Sequence, residues 1–114
     1  MRFKATVRLY LDPEMAEALP LIDQAHKDIE LPRLAYITSA NDGKHMDGSL
    51  HPKGRALDLR INDLPQAAHE PLVWALRERL NGSPDKDRPF NVVLERPKLR
   101  PAANWHIHVE YDPK

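Results

Sequence analysis

The sequence predicts an α+β fold: a small, mostly antiparallel sheet with two helices on one side. Three observations carry this. Residues 3–9 alternate apolar and polar side chains, as a half-buried strand does, and residues 34–38, 91–95 and 105–111 are further short strand-like runs. Two longer stretches, 13–29 and 64–80, space their apolar residues as helices do. With a strand at the His51–Asp58 stretch, the order is β-α-β-β-α-β-β, which lacks the regular alternation of a parallel sheet. At 114 residues the chain suits one domain, 1–114, around one modest core.

In the first strand, Phe3, Ala5, Val7 and Leu9 alternate with Lys4, Thr6 and Arg8. Asp12 is placed as an N-cap and Pro13 as the first helical residue. That helix is expected to bury Met15, Leu19, Ile22 and Ile29, with Pro20 kinking or splitting it. A strand at 34–38 runs into the polar loop Ser39-Ala40-Asn41-Asp42-Gly43. Asn62 and Asp63 are expected to cap the second helix, which carries Leu72, Val73, Leu76 and Leu80 and stops at Asn81-Gly82. Pro71 argues against an unbroken run there. Residues 83–89 form a charged loop and 96–104 a proline-punctuated one.

Composition narrows the function classes. The chain is 41% hydrophobic and 30% charged, ordinary for a folded globular protein. Seventeen basic residues balance seventeen acidic ones, which argues against a nucleic-acid partner. No cysteine is present, so any metal must be held by His, Asp, Glu or water. No apolar run approaches the roughly 20 residues that span a bilayer, and residues 1–12 lack a signal-peptide core. The expectation is a cytoplasmic monomer with no membrane partner, unless a lysis route releases it.

Two stretches carry chemistry. The first, SLHPKGRALDLR, sets His51 and Asp58 on either side of a Pro-Lys-Gly turn signal, so that a turn followed by a strand can fold one beside the other. The second, WHIHVE, puts His106 and His108 on one strand face and Trp105, Ile107 and Val109 on the other. Two imidazoles and a carboxylate with an open fourth position make the donor set of a catalytic zinc. His51, Asp58 and one of His106 and His108 would supply it. The remaining histidine could stabilise an oxyanion. Zinc lowers the pKa of bound water to about 7. Hydrolysis then needs a base, and Glu95, ending a strand expected beside 105–111, is the best-placed carboxylate.

The segment ITSANDGKHMDGSLHPKGRALDLR, with HIHVEYD, resembles the zinc peptidases of the D-alanyl-D-alanine carboxypeptidase and L-alanyl-D-glutamate endopeptidase group, and is similar to the signalling domain of hedgehog proteins. That group shares a His, six residues and an Asp, then His-x-His, on a small α+β fold. The likeness covers roughly residues 37–60 and 92–111. It implies His51, Asp58 and His108 as zinc ligands, His106 as a histidine facing substrate, and Ser39, Ser49 or Arg55 as holders of a substrate carboxylate. The positions where the group carries its catalytic Glu are Ala102, Ala103, Asn104 and Trp105 here, which leaves the role to Glu95.

The implied activity is hydrolysis of peptidoglycan stem peptides, at D-Ala-D-Ala or L-Ala-D-Glu, by an enzyme of phage, prophage or wall-recycling origin. A zinc-stabilised binding module without turnover is the second expectation, and a metalloprotease of other specificity the third. Several other residues take plainer readings: His26 and His69 as surface residues, Trp74 and Trp105 as core, and His45, Asp42 and Asp47 as solvated loop residues.

Overall fold

A computed structural model describes residues 1–5, 7, 10–40, 54–97 and 105–113. The elements follow the expected order: β1 (Arg2–Phe3), α1 (Pro13–Asp28), β2 (Tyr36–Ser39), β3 (Ala56–Arg60), α2 (His69–Asn81), β4 (Phe90–Glu95) and β5 (His106–Tyr111). The strands form one sheet in the order β1-β2-β3-β5-β4. Only β1 and β2 run parallel, and the other three pairings are antiparallel. The result is an α+β fold with a mixed five-stranded sheet and two helices.

Alternation in β3 and β5 decides which face is covered. Leu57, Leu59, Ile107 and Val109 are fully buried and join Val92 of β4 in the core. Met15, Ala18, Ile22 and Ala25 of α1 and Leu72, Val73, Leu76 and Leu80 of α2 complete that core. Asp58, Arg60, His106 and His108 therefore occupy the opposite, partly open face. No helix among the described residues is long and apolar enough to cross a membrane.

Several local expectations are corrected. Pro20 does not divide α1, which is one helix from Pro13 to Asp28. Its buried stripe runs through Met15, Ala18, Ile22 and Ala25 on both sides of Pro20, so packing offsets the one hydrogen bond that a proline removes. Ile29 lies outside the helix as its C-cap. The described part of the first strand is short. Among the described residues only Arg2 and Phe3 pair with β2, and a Val7 N–H bond to the Lys4 carbonyl closes a turn after them. As an edge strand it stays exposed. Asn62 and Asp63 do not cap α2: a 3-10 turn at Gln66–Ala68 precedes it, and Asp63 pairs with Arg33. Pro71 then falls in the first turn of α2, where its missing N–H costs nothing. Gly82 ends that helix with φ of 83°.

His26 and His69 are buried rather than exposed. His26 is fully covered and donates Nδ1–H to the Ile22 carbonyl at 2.8 Å, while burial lowers its pKa despite that bond. His69 donates Nε2–H to the Ile61 carbonyl at 3.0 Å and accepts from Arg96 Nη2 at 2.9 Å. Trp74, expected in the core, is 58% exposed. Leu72, Val73 and Leu76 take the inward face of α2 and leave position 74 outside.

Gly54 locks the entry to β3. Its φ is +73°, its carbonyl accepts from the Asp12 N–H at 3.0 Å, and a Cβ there would run into the Tyr10 carbonyl oxygen. Gly82 has a similar φ but open space around it. Gly54→Ala is therefore expected to cost about 2–3 kcal/mol or more, and Gly82→Ala about 1 kcal/mol. Urea unfolding of the two variants checks this, and equal losses would contradict the close contact at Gly54.

Candidate active site on the open face of the sheet

The ladder between β3 and β5 places Asp58 opposite His108 and Arg60 opposite His106. The ladder between β4 and β5 places Glu95 opposite His106 and Asn91 opposite Glu110. Cross-strand partners on one face have Cβ atoms about 4.5–5.5 Å apart, so five acidic or imidazole groups, Asp58, Glu95, His106, His108 and Glu110, meet on this surface. His108 Nδ1 lies 2.9 Å from Asp58 Oδ1, and His106 Nε2 lies 3.7 Å from the same oxygen. His106 Nε2 is also 3.2 Å from Glu95 Oε2. On its other side, His108 Nε2 lies 3.2 Å from Glu110 Oε2.

Of the residues singled out from sequence, Asp58, His106, His108 and Glu95 are thus brought together. Ser39 ends β2 opposite Asp58, where the register shifts between Ile37 and Ser39. Arg55 is not brought to the cluster. It shares the parity of Leu57 and Leu59, and its guanidinium pairs with Asp12 at the start of α1. His51, Ser49, His45, Asp42 and Asp47 lie outside the described residues, as do Ala102, Ala103 and Asn104. Among the described residues no group of three or more His, Asp or Glu side chains is already spaced to hold a metal ion.

A cleft of about 430 Å³ opens beside this cluster, with Asp58 and His106 on its wall. Lys4, Tyr36, Thr38, Arg60 and Trp105 complete it. The Arg60 guanidinium stacks on the Tyr36 ring at 4.8 Å. Trp105 is half-buried against the core while lining the cleft, and the Arg96 guanidinium lies 4.9 Å from its ring centre. Arg96 therefore turns away from Glu95, which pairs with His106 instead. Reading the sequence missed Arg60 and Glu110. Each lies two residues from a singled-out position, Asp58 or His108, and strand alternation alone puts it on the same face.

No protein-family model, curated protein or solved structure matches the chain. The site is therefore read from its own chemistry.

His108 sits between two carboxylates with its side chain 17% exposed. Burial by itself would lower its pKa. The hydrogen bonds and charges of Asp58 and Glu110 outweigh that and push it up to about 9. Burial likewise works against ionised Glu110, but hydrogen bonds from Asn91 and His108 hold its pKa below the ordinary glutamate value.

A histidine whose folded pKa lies above its unfolded 6.5 adds stability that is complete below about pH 6.5 and lost as pH rises through about 9. Chelator-treated, metal-free protein should lose stability on the order of 3 kcal/mol across that window. Urea melts from pH 6 to 10 measure the loss, and His108→Gln should remove this part of the slope. An unchanged slope in the variant would show that His108 is not the group responsible.

Proposed function

We propose that the chain is a zinc-dependent peptidase that hydrolyses peptidoglycan stem peptides at D-Ala-D-Ala or L-Ala-D-Glu bonds, on the fold of the D-alanyl-D-alanine carboxypeptidase and hedgehog group. The observation that carries this reading is the meeting of Asp58, His106, His108 and Glu95 on one face of the sheet, beside a cleft that Asp58 and His106 line. The substrate class rests on the resemblance of SLHPKGRALDLR and HIHVEYD to that group.

Two of the proposed ligands, Asp58 and His108, are spaced close to zinc donors. Two donors about 2.0–2.1 Å from a tetrahedral ion lie about 3.3 Å from each other. Asp58 Oδ1 and His108 Nδ1, 2.9 Å apart, lie a few tenths of an ångström inside that value. His51, Asp58 and His108 would hold the ion. When bound it supplies Lewis acidity, bringing the pKa of water to about 7 and polarising a carbonyl.

The chain's own residues do the rest. Glu95, whose side chain is 43% exposed, takes a proton from the attacking water and passes it to the departing amine as the C–N bond breaks. His106 donates Nε2–H toward Glu95 Oε2 and so holds the carboxylate beside a residue that lines the cleft. Once Glu95 is protonated its hold on that N–H weakens, and the N–H becomes available to the carbonyl oxygen as charge builds there. Arg60 and Lys4 add positive charge to the same cleft.

Metal analysis, melting and peptide hydrolysis test the proposal together. The purified protein should carry zinc one-to-one, and His51→Ala should lose it. Glu95→Gln should keep the metal while cleavage of stem peptides falls about 10²–10⁴-fold. If neither protein cleaves any stem peptide while zinc still raises the melting temperature, the chain is a zinc-stabilised binding module instead. A preference for all-L peptides would point to a metalloprotease of other specificity.

A further inference from the structure

The chain of contacts through His108 does not end at Asp58. Glu110 follows His108 by two residues on β5 and shares its face of the sheet. Its Oε2 lies 3.2 Å from His108 Nε2, on the far side of the ring from Asp58. Its Oε1 accepts from Asn91 Nδ2 at 3.1 Å, and Asn91 is its register partner on β4. Its partner on the other side, in β3, is the small residue Ala56. Glu110 is thus braced from a neighbouring strand and aimed at one nitrogen of one histidine.

We propose that Glu110, held by Asn91, is a positioning residue that fixes the His108 ring with Nε2–H toward Glu110 and Nδ1 toward Asp58, so that His108 ligates zinc through Nδ1. The inference rests on the zinc site proposed above. A carboxylate on the non-ligating nitrogen sets the tautomer, orients the ring and strengthens the other nitrogen as a donor; losing such a partner typically costs 10–100-fold in metal affinity. Glu110 touches neither substrate nor metal in this role. His108 has a carboxylate on each ring nitrogen, and the Asp58 side is the one shared with His106 and the cleft. Among the described residues, Nδ1 is therefore the nitrogen that faces Asp58, the other described ligand of the proposed site.

The test measures zinc and cobalt(II) affinity by competition with a chelator, using the full chain. Glu110→Ala should bind each metal about 10–100-fold more weakly than the native protein. Glu110→Gln should recover to within a few-fold, because its amide oxygen still accepts from Nε2–H once Asn91 turns its own amide. The cobalt absorption bands of the Gln variant should match the native ones in position and intensity. In the zinc-loaded native protein, long-range proton–nitrogen NMR should show His108 protonated at Nε2. Should Glu110→Ala fail to fold, Asn91→Ala carries the test, with a smaller loss of affinity.

Native affinity in Glu110→Ala, a Gln variant as weak as the Ala variant, or a deprotonated Nε2 would each overturn the inference. If His108→Ala also keeps native affinity, the zinc site itself is misplaced. If only the Glu110 variants do, the site stands and this positioning role falls.

Discussion

Five consecutive residue pairs join β3 to β5, from Ala56 opposite Glu110 to Arg60 opposite His106. This ladder is the constraint on which the candidate site depends. The same alternation that buries Leu57, Leu59, Ile107 and Val109 forces Asp58, His106 and His108 outward. A slip of either strand by one residue would turn its polar share of the site, Asp58 or the two imidazoles, into the core and expose two aliphatic side chains. The core thereby holds the site in register without touching it. Around the cluster, β4 adds Glu95 and Asn91 from one side, and the bulged pairing of β2 adds Ser39 from the other.

The electrostatics are local. A chain of zero formal net charge gathers Asp58, Glu95 and Glu110 around two histidines, and sets Lys4 and Arg60 across the same cleft. The cleft is therefore locally polarised, although the chain as a whole carries no formal net charge. Arg60 is held flat over Tyr36, whose ring also carries Arg2 at 5.2 Å on the neighbouring edge strand. Arg55 serves the fold instead, tying the start of β3 to the start of α1 beside the Gly54 turn.

Element order and the facing of β5 were legible in the sequence because both rest on periodicity. The convergence of Asp58 with the two histidines was expected from the donor set they could make, not from periodicity. Partnerships across long stretches of chain were not legible. Nothing local announces that Ile61 offers its carbonyl to His69, or that Arg96 completes the other side of that ring, so a histidine among polar neighbours reads as a surface residue. Trp74 reads as core until the inward stripe of α2 is known to pass through Leu72, Val73 and Leu76. Pro20 reads as a break because the packing that spans it is tertiary. Arg60 and Glu110 needed only the alternation rule applied two positions further along each strand.

Arg96 and Trp105 stand at either end of the stretch that joins β4 to β5. The guanidinium lies over the indole, His69 meets the indole edge at 6.3 Å, and just inside them Glu95 pairs with His106. The two ends of the connection are stapled to each other and to α2, independently of what runs between them. Closing a longer loop over ends already joined adds only about 0.6 kcal/mol per doubling of its length. Residues 97–104 are therefore a natural graft point, where segments can be exchanged or extended while Glu95 and His106 keep their separation.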